Sequence, residues 1–414
     1  MLEKLFKQCA FIECLQRNPL AAHLDSFAAS LAEDFYAVST VRSKVLWIVQ
    51  LGWWLQEKQI TVAQVDERII DTFLKELRQQ GRLRRGQGPT TLQFLVHLRN
   101  QGIIPYPDPI CDTSPLAELE HQYEKYLRME RGLTTATVVN YRPIVHRFLV
   151  HKYGDGPLHL EELKASDIST YVLTHAHSQS VKRAQLMVTA LRSFFRFLLL
   201  SAKIQVDLAA CVPTVADWRL SSVPKYLSEE EIQRLLDACD RSMSTGRRDY
   251  AVLLLLARLG LRAGEVVALE IDDIDWHAGE MMVRGKGLIH DRLPLLTEPG
   301  EALAAYLRTD RPRSRSRRVF VRMKAPHTGF AGPSTVSTIV RRALERAGLH
   351  PLTKGAHLLR HTLATTMLQQ GASMAEIGEV LRHRSPNTTE IYAKVDLSGL
   401  RSLAQPWPNV GGAR

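Results

Sequence analysis

The sequence has few of the features that mark secreted, membrane-bound or metal-containing proteins. Its 414 residues include five cysteines, an odd number without zinc-site spacing, which is typical of reduced thiols in a cytosolic protein. No cluster of cysteine, histidine and aspartate has the spacing of metal ligands, so we predict no metal and no other cofactor. The longest apolar stretch, Ala251–Ala257, is too short to span a bilayer, and the N-terminus lacks a signal-peptide pattern. We expect a cytoplasmic protein with no membrane partner.

Acidic residues are scarce relative to basic ones. Lysine and arginine number 54 against 43 aspartates and glutamates, giving a net charge of +11, which favours a polyanionic partner such as nucleic acid. Residues 308–324 alone contain eight basic residues and one acid, Asp310. This segment is either a solvated, partly disordered loop or a flexible loop that becomes ordered on a phosphate backbone. Both interpretations stay open, and Arg317 and Arg318 are its candidate DNA contacts.

The length predicts two or three domains, and residues 115–207 have the pattern of an all-helical one. Apolar residues recur there at helical spacing, beginning with Leu116, Leu119 and Tyr123. The last of its four predicted helices also carries basic residues between apolar ones, as a helix lying against DNA would need. These candidate DNA contacts are Lys182, Arg183, Arg192 and Arg196.

Residues 1–105 contain a fainter version of the same pattern. Thr40 and Val41 match Thr137 and Val138 at an offset of 97. Four later apolar positions match at an offset of 98: Val62, Val65, Ile70 and Phe73 against Leu160, Leu163, Ile168 and Tyr171. The repetition suggests a degenerate duplication of the domain, although any two amphipathic four-helix segments can align this well. A proline-rich linker separates the two segments.

The remaining chain, residues 222–400, is predicted to be a domain of helices with a small antiparallel sheet, followed by a tail at 401–414. A capping box at Ser228 opens the first helix, and a buried helix over Tyr250–Leu259 follows. The sheet is predicted within Gly279–Leu296. Later helices are predicted at about 298–308, 334–347, 357–370, 373–382 and 388–395.

Six polar residues in this last domain suit one chemistry, metal-free phosphoryl transfer. They are Arg262, Lys286, His357, Arg360, His383 and Tyr392. Two guanidinium groups can clamp the non-bridging oxygens of a phosphodiester bidentately. A tyrosine hydroxyl has an ordinary pKa of about 10, so neighbouring cations must favour its phenolate if it is to attack phosphorus.

The order and surroundings of these residues resemble the tyrosine recombinases, also called the phage-integrase family. The resemblance covers about 226–400, with a weaker match over 115–207. It is densest in His357-x-x-Arg360-His361-Thr362 and in the segment from Leu381 to Tyr392. It implies a mainly α protein, with one or two helical core-binding domains and a catalytic domain that carries a small antiparallel sheet.

The resemblance also implies a role for each residue. Arg262 and Arg360 would bind the scissile phosphate, and Tyr392 would attack it to form a 3′-phosphotyrosine. His357 and His383 would donate hydrogen bonds to the phosphate or assist proton movement. Lys286 would be the general acid for the leaving 5′ oxygen. Other cations of the same hairpin could face the phosphate instead: Arg284, His290 and Arg292.

Three neighbouring residues need separate interpretation. Glu265 lies three residues after Arg262 on one helix and is expected to orient that arginine. His361 points about 100° further round its helix than Arg360, so we assign it a structural role. Arg382 stands where the family usually has glycine, and we expect it to touch the DNA backbone or to point into solvent.

The resemblance implies a site-specific recombinase or integrase that acts on double-stranded DNA, as a homo-tetramer on two sites or with related recombinases. We expect a mobile element and a nucleoid location. The alternatives are a type IB topoisomerase-like relaxer and a non-catalytic DNA-binding accessory protein. An apolar stripe at Leu397, Leu400 and Leu403 would dock on a neighbouring protomer or pack on its own domain.

Overall fold

The computed structural model describes residues 1–6, 13, 15–107, 113–154, 156–216, 225–285 and 290–395. Helices dominate and one small antiparallel sheet accompanies them, so the predicted mainly α class is confirmed. Contacts divide the chain into two compact units. One combines the residues up to Tyr106 with those from Ser222 onward, and the other runs from Pro107 to Ser221.

The N-terminal part of the first unit is helical and has its own hydrophobic core. The core includes Phe27, Ile48, Phe73 and Phe94, all buried. The side chain of Asp66 caps the fourth helix by accepting a hydrogen bond from the backbone of Ile69. The helices are α1 (Leu2–Leu5), α2 (Ala21–Glu33), α3 (Val38–Glu57), α4 (Glu67–Gln79) and α5 (Gln87–Asn100).

The second unit packs four helices around a core rich in aromatic residues. Tyr123, Phe148, Phe194 and Phe195 are buried together there, with Phe148 and Phe195 in edge-to-face contact at 5.5 Å between ring centroids. The helices are α6 (Pro115–Lys125), extended by a π-helical turn (Tyr126–Glu130), α7 (Thr135–Tyr153), α8 (Ala165–Ala176) and α9 (Val181–Leu200).

The two helical regions present the same elements in the same order. Helices α3 and α7 begin 97 residues apart, and α4 and α8 begin 98 residues apart. A short 3₁₀ turn precedes α4 and α8, at Val62–Gln64 and Leu160–Glu162 respectively. Val41 and Val138, matched in the sequence, are both buried at equivalent places. The spacing of the helices therefore agrees with the spacing of the sequence repeat.

The C-terminal part of the first unit surrounds one buried helix. This helix, α11, contains seven consecutive buried residues, 251–257. The capping box at Ser228 opens α10, as predicted. The helices are α10 (Glu229–Asp237), α11 (Ser244–Arg258), α12 (Ala263–Ala268), α13 (Thr297–Ala305) with a π-helical turn (Tyr306–Asp310), α14 (Pro333–Arg346), α15 (Ala356–Gln369) and α16 (Met374–Val380).

Two boundaries differ from the sequence prediction. Helix α11 begins six residues before Tyr250, because polar residues of its first turns find partners such as Asp310 for Arg247. The segment predicted as a helix at 388–395 instead consists of 3₁₀ turns, Pro386–Thr388 and Glu390–Val395. A 3₁₀ turn is common in such short connecting pieces.

The sheet has three antiparallel strands in sequence order, β1 (Ile274–Asp275), β2 (Glu280–Arg284) and β3 (His290–Pro294). Met281 pairs with Leu293, which gives the predicted hairpin its register. Strand β1 was not predicted, because two residues carry no alternation of apolar and polar side chains. The hairpin turn, residues 286–289, and with it the predicted Lys286, lies outside the described residues.

Candidate active site

Arg262 is held at the start of a helix by a carboxylate one turn away. It caps the N-terminus of α12, and its backbone N–H donates to Glu265 Oε2 at 2.8 Å. Its Nη1 donates to the other oxygen of Glu265 at 2.6 Å. Glu265 is buried, whereas the Arg262 side chain is 37% exposed. The guanidinium therefore keeps one face toward solvent while the other is fixed, as expected from the spacing.

Arg360, the second arginine of the site, is held by backbone carbonyls. It projects from α15, is buried, and donates to the carbonyl oxygens of Gly260 and Leu381. Burial, followed by the charge of Arg262, lowers the pKa of Arg360 to about 10. The guanidinium remains charged at neutral pH. Neutral carbonyls position it without cancelling that charge.

Gly260 has to be a glycine for this arrangement. Its φ of +58° lies in the left-handed region, which disfavours side chains. A Cβ at this position would lie 2.7 Å from Leu381 Cδ2 and 2.9 Å from Leu363 Cδ2. The turn between α11 and α12 can therefore approach the Leu381 turn closely enough for both carbonyls to reach Arg360.

The backbone of the residues just after α16 contacts both arginines of the site. The carbonyl of Leu381 accepts from Arg360, and the carbonyl of Arg382 accepts from Nη2 of Arg262 at 3.1 Å. His383 comes next, with its backbone N–H on the carbonyl of Gly378 at 2.8 Å. Arg382 itself has φ +55°, a conformation in which glycine is the ordinary residue.

The expectation for the Arg382 side chain was wrong. It neither points into solvent nor lies free to touch DNA, since it is only 7% exposed. Its Nη2 donates to Glu265 Oε2 at 2.8 Å. The carboxylate lies 117 residues away in the sequence, and nothing in the local pattern around position 382 indicates that contact.

Tyr392 is buried in the last 3₁₀ turn, and its hydroxyl group meets a histidine. The distance from the hydroxyl oxygen to Nδ1 of His361 is 2.8 Å. Burial raises the pKa of Tyr392 to about 12, and the charge of Arg360 opposes this only in part. The hydroxyl is therefore protonated, and it can donate this hydrogen bond when the neutral imidazole carries its proton on Nε2.

His361 is the residue that the sequence analysis missed. Burial, followed by the charges of its neighbours His357 and Arg360, lowers its pKa, so the ring is neutral at physiological pH. The signal was present in the spacing, because residues four apart share a helix face. The rings of His357 and His361 indeed lie 6.4 Å apart. A neutral imidazole at this position can accept a proton from Tyr392.

The two histidines predicted from the motif are neutral as well. Burial and then the charges of Arg360 and Arg262 lower the pKa of His383 to about 4. Its Nδ1 lies 2.8 Å from Thr389 Oγ1. The same causes lower the pKa of His357, whose ring is still accessible to solvent on one side. Both rings can therefore donate hydrogen bonds to a phosphate but add no charge.

The ends of the β2–β3 hairpin face the pocket. Gly285 and Asp291 line a cavity of about 810 Å³ together with Arg262, Arg382 and His383. Two of the alternative cations are engaged elsewhere. Arg284 pairs with Glu270 and Asp273, and the exposed Arg292 lies 3.6 Å from Glu280. The described flanks of residues 286–289 thus belong to the site.

The candidate DNA contacts differ in how they are used. On α9, three of them are exposed: Lys182, Arg183 and Arg196. The fourth, Arg192, donates to the carbonyl of Val212 and to Thr214 Oγ1, both at 2.8 Å, and so stabilises its own unit.

The basic segment 308–324 is ordered by its own side chains. Arg311 donates to the carbonyls of Ser316, Arg318 and Val319. Arg317 pairs with Asp272, and Arg318 pairs with Glu270 at 3.4 Å. These three arginines are thus occupied by carbonyls and carboxylates of the same unit, which opposes the interpretation as a disordered loop.

The described residues contain neither a candidate membrane span nor a candidate metal cluster. No helix there has the length and apolar character needed to cross a membrane. Likewise, no group of three or more His, Cys, Asp or Glu side chains in that part of the chain is arranged to hold a metal ion.

Comparison with known proteins agrees with the family that the sequence indicates. The phage integrase family matches residues 225–398, and the phage integrase N-terminal SAM-like domain matches residues 121–201. A putative integrase/recombinase of Sinorhizobium fredii, y4rA, is 45% identical over 395 residues, which cover 94% of this chain and 95% of that protein. Tyrosine recombinase XerC of Bacillus pumilus is 30% identical over 295 residues, covering 68% and 93%.

Solved structures show the same fold. XerH site-specific recombinase bound to palindromic difH substrate, in a post-cleavage complex, gives a TM-score of 0.54 at 20% identity, covering 69% of this chain and 83% of that one. A lambda integrase dimer bound to a COC′ core site gives 0.52 at 20% identity, covering 71% and 98%.

Proposed function

This chain belongs to the phage integrase family of tyrosine recombinases, which are DNA strand breaking and rejoining enzymes, and on that premise we propose that Tyr392 is its nucleophile. The observation that carries the proposal is the position of the Tyr392 hydroxyl against the neutral ring of His361, beside Arg360.

The reaction follows from these contacts. The Tyr392 oxygen attacks the scissile phosphorus while its proton passes to Nδ1 of His361. The bond from phosphorus to the 5′ oxygen breaks, leaving a 3′-phosphotyrosine and a 5′ hydroxyl. Attack by a 5′ hydroxyl of a partner strand reverses these steps and rejoins DNA. Because Tyr392 is buried in this structure, its turn has to move before the hydroxyl reaches a phosphate.

Arg262 and Arg360 would stabilise the charge that grows on the non-bridging oxygens. Arg262 has an open face, and Arg360 has an undiminished charge because its hydrogen-bond partners are carbonyls. His357 and His383 would add neutral hydrogen bonds to the same oxygens. Interactions of this type act mainly on the transition state.

Tyr392→Phe tests the nucleophile. The full-length variant and the wild type are incubated with a library of random-sequence nicked duplexes, which lose a short fragment on cleavage and so trap the covalent adduct. The wild type should give a protease-resistant adduct whose ends define the site. The variant should bind the same DNA and give none. An adduct with Tyr392→Phe would show that another residue attacks.

Lys286 is proposed as the general acid for the leaving 5′ oxygen. Gly285 and Asp291, which lie on either side of the segment that contains Lys286, line the cavity. The neighbouring cation Arg284 is instead paired with two carboxylates. A 5′-bridging sulfur leaves without a proton, so this substrate should rescue Lys286→Ala but not Arg262→Ala. Rescue of a His290 or Arg292 variant instead would reassign the acid.

The function of the assembly is proposed to be recombination of a mobile element by four protomers on two DNA sites, in the cytoplasm at the nucleoid. Relatives named integrase/recombinase and a lambda integrase tetramer bound to a Holliday junction support this proposal. Relaxation of supercoiled plasmid by monomers would favour a type IB topoisomerase-like activity. Undiminished function of Tyr392→Phe would favour an accessory DNA-binding role.

The C-terminal stripe at Leu397, Leu400 and Leu403 lies outside the described residues, and its docking on a neighbouring protomer remains a proposal. Deleting residues from Leu397 onward should leave single-site binding intact and abolish assembly on paired sites. Normal assembly of the truncated chain would rule out docking in trans.

We further propose that residues 1–105, 115–207 and 222–400 are separate domains and that the first duplicates the second. Each has its own hydrophobic core, and the equivalent helices keep the spacing of the sequence repeat. Arg84 and Arg85 are exposed just before α5, as Lys182 and Arg183 are at the start of α9. Deleting residues 1–105 should spare cleavage of a short core site and weaken binding to longer DNA.

A further inference from the structure

Glu265 is shared by two arginines, and this sharing decides how much charge the pocket keeps. Oε1 accepts from Nη1 of Arg262 at 2.6 Å, and Oε2 accepts from Nη2 of Arg382 at 2.8 Å. The side chains of Glu265 and Arg382 are 4% and 7% exposed. At such burial a carboxylate facing Arg262 alone would offset most of the positive charge that Arg262 offers to a phosphate. With Arg382 present, the three groups keep a net positive charge.

The backbone of Arg382 acts on the same arginine. Its carbonyl accepts from Nη2 of Arg262 at 3.1 Å, so Arg262 is fixed at both Nη atoms. The next residue, His383, shares the cavity with Arg262. The turn holds this geometry with φ +55° at position 382, a conformation that is unfavourable for a residue with a side chain.

We propose, on the basis of the function proposed above, that Arg382 is a positioning residue for cleavage: its guanidinium offsets the charge of Glu265 so that Arg262 can act on the scissile phosphate. Glycine, the usual residue of the family at this position, would suit the backbone better but could not supply that charge. The guanidinium also donates from Nη1 to the carbonyl of Val380 at 3.1 Å, which keeps it directed into the protein and toward Glu265.

The decisive experiment is a double-mutant cycle in the full-length chain. Arg382→Gly removes the charge and relieves the backbone, and Arg382→Lys is the matched variant that keeps the charge. Both are made in the wild type and in the Arg262→Ala background. Single-turnover cleavage of a nicked duplex carrying the site trapped by the wild type is measured together with binding to that duplex and thermal unfolding.

Arg382→Gly should slow cleavage roughly tenfold while binding changes by less than about twofold, because coupled buried charges interact at that scale. Arg382→Lys should recover most of the rate. In the Arg262→Ala background, Arg382→Gly should change the remaining rate by less than about twofold.

Two results would overturn the proposal. An equal loss in both backgrounds would mean that Arg382 contacts the DNA itself. An unchanged rate in Arg382→Gly would mean that its charge is not needed. A wild type that forms no adduct would contradict the proposed function instead, so the two failures are distinguishable. A second cycle uses the Glu265→Gln background. There, Arg382→Gly should slow cleavage less than it does in the wild type, and an equally large loss of rate would count against the proposal.

Discussion

Two groups of arginines in the same unit are held in opposite ways. The pocket arginines, Arg262 and Arg360, are buried or half-buried, and most of their hydrogen bonds go to backbone carbonyls. The loop arginines, Arg317 and Arg318, face the carboxylates of Asp272 and Glu270, and Arg318 also donates to the carbonyl of Ala268. Both groups count equally toward the net charge of the chain. They do not offer equal charge to a ligand.

The two groups differ in whether the partner of each guanidinium offsets its positive charge. A carbonyl fixes the direction of a guanidinium and leaves its full charge, whereas a carboxylate fixes it and offsets the charge. The carboxylate that contacts Arg262, Glu265, is itself shared with Arg382. The pocket is thus built to present positive charge and the loop to hold itself together.

Arg360→Ala should have the largest effect. Loss of one charge-stabilising group should cost about 3–4 kcal/mol in the cleavage transition state. Leaving the buried carbonyls of Gly260 and Leu381 without a donor should also lower the free energy of unfolding by about 1–3 kcal/mol. Single-turnover cleavage and chemical denaturation measure the two losses.

Arg262→Ala is the matched comparison, because this side chain is 37% exposed. Cleavage should fall as much as in Arg360→Ala while the free energy of unfolding changes less. Equal losses in DNA binding and in cleavage would instead mean that both arginines only hold DNA.

Gly260→Ala should disturb the pocket without touching a charged group. The new methyl group would overlap Leu381 and Leu363, so the free energy of unfolding should fall by about 1–3 kcal/mol, and cleavage should slow as the carbonyl that holds Arg360 shifts. Gly279→Ala is the control, since it has φ +65° and nothing within 4 Å of the added Cβ. If both variants lose equal stability and keep full cleavage, the close approach at Gly260 has no functional role.

Stability should fall as the pH drops from about 6.5 toward about 4. The pKa of His383 is lowered from 6.5 to about 4 in the folded chain, so the unfolded chain takes up a proton across this interval while the folded chain does not. His357 and His361 act in the same direction, because their pKa values are also lowered. Thermal unfolding as a function of pH measures the slope, and His383→Asn should reduce it. An unchanged slope in that variant would contradict the lowered pKa of His383.

Arg317→Ala should have the smallest effect. Its partner Asp272 is 64% exposed, and an exposed ion pair stabilises a protein by no more than about 1 kcal/mol. The cleavage rate should not change. The slope of the logarithm of the DNA-binding constant against the logarithm of the salt concentration is the control. If Arg317→Ala lowers this slope by about one unit, Arg317 contacts a phosphate, and the loop arginines then offer charge to DNA as the pocket arginines do.

The helices and most residues of the site can be predicted from local features of the sequence. Apolar periodicity places the helices, because one face of each must be buried, and the capping box at Ser228 marks a helix start locally. Two pairs of site residues are also close in the sequence: His357 with Arg360, and Arg262 with Glu265. Helix geometry alone brings the members of each pair together.

The partner of each charged side chain, by contrast, depends on contacts between residues far apart in the sequence. The contacts of Arg360 with Gly260 and of Arg382 with Glu265 span 100 and 117 residues. Even His361, whose spacing from His357 was visible, is connected to Tyr392 by the packing of a 3₁₀ turn against α15. Helical spacing fixes the direction of a side chain relative to its own axis. The partner it reaches, and whether that partner offsets its charge, depends on which turns the core brings into contact.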